Sequence, residues 1–213
     1  MILNSYWRAT SAYRLRIALN LKGLDYDIKS VHLVKNGGEQ HMPEYRAINP
    51  QGRVPSLVLD GGEVLIQSPA IIEWLEETYP TPALLPTDPL ARARVRAVAA
   101  IIGCDVHPLG NVGPLNYLRR TFGADDAACA TWVANWVNQG FTAIEALIDG
   151  GDYCFGHAPT IADVYLVPQV FAARRFKVGL DAYPKITRAA DHCAGLDAFV
   201  RAAPQNQPDA EKA

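Results

Sequence analysis

The stretch ILNSYWRATSAYRLRIALNLKG, residues 2–23, decides the fold. Its first five residues, Ile2–Tyr6, form a short apolar run suited to a buried strand. After a brief polar break, Ser11–Lys22 carries Leu15, Ala18 and Leu19 on one helical stripe, and Gly23 supplies a C-terminal stop. A strand that runs straight into an amphipathic helix is the first half of a βαβ unit. Tyr26–Leu33 alternates well enough to be the second strand.

Reading outward, a Gly37-Gly38 loop leads to a short helical piece that ends at Asn49-Pro50. Val54–Leu59 and Val64–Gln67 are β-rich runs joined by Asp60-Gly61-Gly62, a hairpin signal. Ser68 then reads as an N-cap with Pro69 at the first helical position, followed by an apolar stripe of Ile71, Ile72, Leu75 and Tyr79. The order β-α-β-α-β-β-α predicts a mixed four-stranded sheet with helices packed on it, within an α/β first domain at residues 1–80.

Pro80, Pro82, Pro86 and Pro89 punctuate PTPALLPTDP, where proline blocks helix continuation and ladder hydrogen bonds alike. Residues 81–89 are therefore expected to be a linker. Beyond it the strand signals stop. Leu90–Val106, Asn116–Phe122, Ala127–Leu147, Ile161–Arg174 and Tyr183–Ala194 read as helices, giving an all-helical second domain at 90–213 with a polar, frayed tail from about Pro204. Thr160-Ile161-Ala162-Asp163 is a helix-start signature.

The chain has 213 residues with 20 basic and 22 acidic side chains. Residues 1–79 and 80–213 each net −1, so no basic face large enough for a nucleic-acid backbone is implied. No apolar run reaches the roughly 18–20 residues of a membrane span. The N-terminus lacks the basic and apolar segments of a secretory leader. Cys104, Cys129, Cys154 and Cys193 are scattered without a CxxC pair, which fits reduced cytoplasmic thiols better than disulfides or a zinc site.

Three places could hold chemistry. The N-terminus of the first helix offers unsatisfied amides and about half a positive charge, with the Thr10 and Ser11 hydroxyls beside it. Such an end can stabilise a thiolate, although either residue could simply cap the helix. At Val54-Pro55, a cis bond would turn the Val54 backbone outward to pair with an extended peptide. Only about one X–Pro bond in twenty is cis, so the residues alone favour an ordinary edge-strand proline. Gln67-Ser68, where a strand feeds a helix N-terminus, is a ready carboxylate site, or again a plain cap.

Together these residues resemble a family. Tyr6-Trp7-Arg8-Ala9-Thr10-Ser11-Ala12-Tyr13-Arg14-Leu15-Arg16-Ile17-Ala18-Leu19 is similar to the zeta-class glutathione transferase signature, Ser-Ser-Cys-x-x-Arg-x-Arg-Ile-Ala-Leu. The similarity continues through Asn49-Pro50, Val54-Pro55, Gln67-Ser68-Pro69-Ala70-Ile71-Ile72-Glu73, Leu166-Val167-Pro168-Gln169-Val170 and Arg174-Arg175-Phe176. It covers nearly the whole chain apart from the tail. Within the class it looks most like the maleylacetoacetate and maleylpyruvate isomerases.

The resemblance implies a thioredoxin-like first domain that binds glutathione and a helical second domain that supplies most of the substrate pocket. By the same resemblance, Gln40, Val54, Gln67 and Ser68 would hold the tripeptide, with Val54 pairing to its cysteinyl backbone and Gln67 and Ser68 taking the γ-glutamyl carboxylate. His107 and Asn111 would reach the same cavity from the second domain. His107 is also a candidate substrate contact, although His107-Pro108 could equally be a structural turn. Arg8 and Arg175 match the family's substrate-binding arginines. Arg174 is expected at the surface, Arg14 and Arg16 in supporting roles, and Trp132 and Trp136 in the core.

One departure stands out. The first Ser of the family triplet is Ala9, the middle position is Thr10, and the Cys position is Ser11. A methyl cannot donate a hydrogen bond, so Ser11, with Thr10 second, is the expected activator of the thiol. The resemblance therefore implies a cytoplasmic, glutathione-dependent cis–trans isomerase of a small maleyl dicarboxylate in aromatic-ring degradation, working as a homodimer. The alternatives are a general transferase or α-halo-acid dehalogenase, or a glutathione-binding module without turnover.

Overall fold

A computed structural model describes residues 1–211. The chain divides into two compact units, one comprising Met1–Ala83 with the segment from Gly195 onward, the other Leu84–Ala194.

In the first unit, strands β1 (Ile2–Ser5), β2 (Asp27–Ser30), β3 (Ser56–Val58) and β4 (Val64–Ile66) form one sheet in the order β2-β1-β3-β4. β1 pairs parallel with β2, while β1–β3 and β3–β4 are antiparallel. This is the mixed thioredoxin-like sheet expected from the β-α-β-α-β-β-α order. β2 is shorter than the Tyr26–Leu33 expected from alternation. The ladder closes when the Val31 amide reaches the Ser5 carbonyl, and His32 then turns the chain into tight turns at Lys35–Gly37 and Glu39–His41.

Helix α1 (Thr10–Leu21) is buried on almost every side, from Ala12 through Asn20. A helix packed against a sheet normally keeps a polar outer stripe. Here α3 (Ser68–Thr78) and α9 (Asp197–Ala202) both lie against α1, which explains the two arginines inside it. Arg16 is fully buried and spends its fork on three acceptors: Ala202 O at 2.9 Å, Ser5 Oγ at 3.0 Å and Trp7 O at 2.9 Å. Burial lowers its pKa to about 10, which leaves it charged at neutral pH. Lys22, at the helix end, is held by Glu76 at 2.5 Å and the Pro82 carbonyl at 2.6 Å.

The segment from Gly195 departs from the expected assignment of 90–213 to the second domain, and its part from Pro204 departs from the expected frayed tail. Its residues form α9 and a following turn that pack on the first unit, because Arg16 and Asn20 need its backbone carbonyls at Ala202 and Ala198. The segment's polar side chains have partners of their own: Asn206 and Gln207 donate to the Val200, Arg201 and Ala203 carbonyls, and Asp209 accepts the Trp7 amide.

The second unit is helical: α4 (Pro89–Ala100), α5 (Val112–Phe122), α6 (Asp126–Leu147), α7 (Ile161–Arg175) and α8 (Pro184–Ala194). α7 is its centre and is buried on all faces over Ile161–Val170. Asp163 accepts the Thr160 amide at 2.8 Å and its hydroxyl at 2.9 Å, fixing the start of α7 where the sequence signature placed it. The single helix expected over Leu90–Val106 instead changes at Ile101 to wider π-helical turns through Val106, then to a 3-10 turn at His107–Gly110. Gly140 of α6 accommodates this, since a Cβ there would run into Val106.

Candidate active site

Four of the residues expected to hold glutathione, Gln40, Val54, Gln67 and Ser68, lie in the first unit, whereas His107 and Asn111 lie in the second. α1 begins at Thr10 with Ala9 as its N-cap, and no side chain caps it. The plain-cap reading of Thr10 and Ser11 therefore fails. The helix end keeps its positive character, with two hydroxyl residues in its first turn. Ser11 Oγ donates to the Val54 carbonyl at 3.0 Å. The favoured thiol activator and the expected peptide-pairing residue are thus in direct contact, 43 positions apart in sequence.

Val54 and Pro55 lead into β3, and the bond between them is cis, against the expectation from frequency alone. Beneath it Tyr6, Val31, Tyr45 and Val54 form a small buried cluster, with Trp7, Ala9, Leu33 and Ile48 packed against it. Tyr45, from α2 (Pro43–Ile48), donates its hydroxyl to the Arg53 carbonyl at 2.7 Å. Asn49 donates to the same carbonyl at 2.7 Å, so the segment entering β3 is fixed from below.

Gln40 and Gln67 connect to this segment through the turn at Gln51-Gly52. Gly52 has φ +63°, and a Cβ there would sit 2.9 Å from the Gln40 carbonyl oxygen, so only glycine fits comfortably. Gln51 Oε1 accepts from Gln67 Nε2 at 2.5 Å. Gln67, not Ser68, is the N-cap of α3. It adopts φ +69°, a left-handed conformation that a non-glycine residue rarely takes, and Ser68 becomes the first helical residue. Ser68 is buried and accepts from Arg14 Nη1 at 3.2 Å.

Gln40 provides a test of fit for glutathione. It is 7% exposed, its Nε2 reaches Leu33 O only at 3.4 Å, and its Oε1 has no hydrogen-bond partner. A buried amide oxygen left unsatisfied normally costs free energy unless something else meets it. A peptide ligand with free N–H groups suits that position. Arg8, half-buried at the end of β1, stacks over Trp7 with 5.2 Å from its guanidinium carbon to the ring centre.

In the second unit, His107 opens the 3-10 turn that follows the π-helical stretch, and Asn111 is the N-cap position of α5 without capping it. Arg175 is the last residue of α7, exposed, with its guanidinium carbon 4.7 Å from the Phe176 ring centre. Arg174 pairs with Asp191 at 2.7 Å, as expected of a surface residue. Trp132 and Trp136 pack edge-on at 5.5 Å and are half-buried, with Trp132 Nε1 donating to the Leu109 carbonyl at 2.9 Å. All four cysteines are free thiols. Among the described residues no helix is long and apolar enough to cross a membrane.

Sequence reasoning missed Gln51 and Gly52. Asn49-Pro50-Gln51-Gly52 was readable as a turn, but its link to Gln67 and Gln40 exists only once the sheet is assembled. It also missed the last seventeen described residues as part of the first unit.

Known proteins share this fold. The family model described as "Glutathione S-transferase, N-terminal domain" matches residues 10–78. The maleylacetoacetate isomerase of Pseudomonas aeruginosa is 58% identical over 209 residues, covering 98% of each chain. A solved structure titled as the holo form of maleyl pyruvate isomerase, a bacterial zeta-class glutathione S-transferase, superposes with a TM-score of 0.96. It is 56% identical and covers 99% of this chain and 100% of its own. The maleylacetoacetate isomerase of Anaeromyxobacter dehalogenans, solved with dicarboxyethyl glutathione and citrate in its active site, has a TM-score of 0.87 at 41% identity. It covers 99% of this chain and 93% of its own.

The chain belongs to the zeta class of the glutathione transferases. Within that class it falls with the glutathione-dependent isomerases, and glutathione is the cofactor of the reaction.

Proposed function

We propose that the chain interconverts the cis and trans forms of a small maleyl oxo-acid, maleylacetoacetate or maleylpyruvate, in aromatic-ring catabolism. The observation that carries the reading is the 3.0 Å contact between Ser11 Oγ and the Val54 carbonyl, at the uncapped start of α1. It brings a hydroxyl donor, a helix N-terminus and the backbone that would pair with the tripeptide to one point.

When bound, glutathione supplies a thiolate whose reversible addition to the cis double bond leaves a single bond free to rotate. Each residue of the chain then has a definite task. Val54 pairs its backbone with the cysteinyl residue. Gln40 offers its unmet Oε1 to a peptide N–H. Gln67 and Ser68, at the N-terminus of α3, hold the γ-glutamyl carboxylate, which the helix end favours. Ser11 swings its hydroxyl from the Val54 carbonyl to the sulfur and, with the first-turn amides of α1, favours the thiolate over the thiol. Thr10 stands second for that role. Arg8 and Arg175 are the residues for the substrate carboxylates, His107 serves substrate or glutathione, and Asn111 serves glutathione. A guanidinium suits this task because it meets a carboxylate with two parallel donors.

The dicarboxyethyl glutathione in the A. dehalogenans relative supports this chemistry, because it is the kind of adduct that thiol addition to an unsaturated dicarboxylic acid would leave. The same relative's citrate supports a small polycarboxylate as the substrate class. Free thiols at all four cysteines fit a cytoplasmic location, and the family likeness supports a homodimer. The test is to supply each maleyl acid with and without glutathione and follow its absorbance. Glutathione-dependent loss of the cis form is expected. No turnover of either acid would overturn the reading.

A further inference from the structure

The end of the chain returns to the two loops that carry the glutathione residues, and it does so with carboxylates. Asp209 Oδ2 accepts the Trp7 amide at 3.0 Å and the Ser30 hydroxyl at 3.0 Å. The Trp7 carbonyl is meanwhile held by Arg16 Nη2 at 2.9 Å. The Trp7 peptide is therefore gripped on both sides. It sits within the turn, closed by the Ala9 amide on the Tyr6 carbonyl at 3.0 Å, from which α1 departs with Thr10 and Ser11.

Glu211 grips the other loop. Its Oε1 lies 3.2 Å from His32 Nε2 and 2.9 Å from Lys35 Nζ. His32 Nδ1 accepts two backbone amides, Val34 at 3.1 Å and Lys35 at 2.9 Å, so the ring proton belongs on Nε2, facing Glu211. The His32 amide donates to Glu39 Oε2 at 2.6 Å and its carbonyl accepts the Glu39 amide at 2.8 Å. His32 thus closes residues 33–38 into a ring of contacts, and Gln40 follows directly. The Tyr6 and His32 rings meet edge-on at 4.8 Å, joining the two gripped loops over the small cluster that supports Val54.

We propose that Asp209 and Glu211 are positioning residues for glutathione: Asp209 sets the turn that launches α1, and Glu211 sets the loop that presents Gln40. The inference rests on the reading that Gln40, Val54 and the start of α1 hold the tripeptide. Neither carboxylate is placed to touch glutathione; each fixes backbone that does.

The test uses the full chain and isothermal titration with glutathione, alongside steady-state kinetics on a maleyl acid. The Asp209→Ala/Glu211→Ala variant is expected to bind glutathione about five- to tenfold more weakly, as the loss of the two part-buried hydrogen bonds to Trp7 and His32 would give. At saturating glutathione the kcat of Glu211→Ala should stay within about twofold of the parent, as expected when uniform binding alone is lost. Asp209→Asn, whose amide oxygen still accepts from Trp7 and Ser30, should restore most of the affinity. A folded double variant with parental glutathione affinity would overturn the proposal. If the double variant is unfolded, Glu211→Ala alone decides the matter, since its side chain is half exposed and its removal leaves the fold intact. A weakened affinity there supports the proposal and an unchanged one refutes it. Gln40→Ala separates the two levels of the argument. If Gln40→Ala also leaves affinity unchanged, the underlying assignment has failed; if it weakens binding while the tail variants do not, only the positioning role has failed.

Discussion

Replacing Ser11 by alanine removes a donor placed at both the start of α1 and the Val54 carbonyl. That hydroxyl already has an acceptor, Val54 O at 3.0 Å. A hydrogen bond to a charged group contributes about 1.5–3 kcal/mol, whereas a neutral one contributes about 1 kcal/mol. Turning the hydroxyl from Val54 to the sulfur therefore nets about 1–2 kcal/mol. That difference corresponds to a fall in kcat of roughly 5- to 30-fold, and to a rise of about one unit in the pKa of the bound thiol. Glutathione affinity should change little, because the tripeptide's backbone and carboxylate contacts remain. The assay is kcat at saturating glutathione, paired with an ultraviolet titration of the thiolate in the binary complex. A kcat within about twofold of the parent, with an unmoved thiol titration, would refute the role of Ser11. The amides of α1 or the Thr10 hydroxyl would then carry the stabilisation.

Other outcomes follow from the same contacts. Arg175→Ala should raise KM for the maleyl acid about tenfold while leaving glutathione affinity unchanged; an unchanged KM would remove Arg175 from substrate binding. Lys22→Ala should lower stability by about 3 kcal/mol in urea titrations, because it strips a buried carboxylate of its 2.5 Å partner; a loss under about 1 kcal/mol would show that Glu76 is compensated elsewhere. Burial and the neighbouring Asp163 carboxylate push the Cys154 and Cys193 thiols up, whereas Cys104 is exposed. Iodoacetamide at mildly alkaline pH should therefore modify Cys104 first and spare Cys154 and Cys193 until the chain unfolds. The same raised values make a prediction for stability. The folded chain keeps both thiols protonated where the unfolded chain ionises, so this contribution is complete below about pH 8.5 and is lost progressively as pH climbs toward the raised values. Urea midpoints that stay flat between neutral pH and pH 10 would contradict it.

Much of this was legible in the sequence because it rests on local pattern. The first strand, α1, the Asp60-Gly61-Gly62 hairpin and the Thr160–Asp163 helix start each declare themselves within a dozen residues, and the structure places them there. Helix ends were less legible. Ser68 looked like a cap, yet Gln67 occupies that position with a positive φ, and its side chain meets Gln51 in the turn before β3, a contact that no local pattern shows. The change to π-helical turns at Ile101 was invisible, since it depends on the space that Gly140 leaves on another helix. The terminal segment was the largest miss. Its Asn206, Gln207, Asp209 and Glu211 look solvated until the Val200, Arg201 and Ala203 carbonyls, the Trp7 amide and the His32 ring are there to meet them. Arg16 was the available clue, because an arginine inside an apolar helix requires acceptors from somewhere.

The central claim is that glutathione acts through its thiol and is returned unchanged. Turnover of a maleyl acid should be compared with glutathione and with S-methylglutathione, which keeps every backbone and carboxylate contact but has no free thiol. The account predicts many turnovers per glutathione with the thiol pool undiminished, and no turnover with the S-methyl form although it still binds. Comparable rates with the two compounds, or one thiol consumed per product formed, would contradict it.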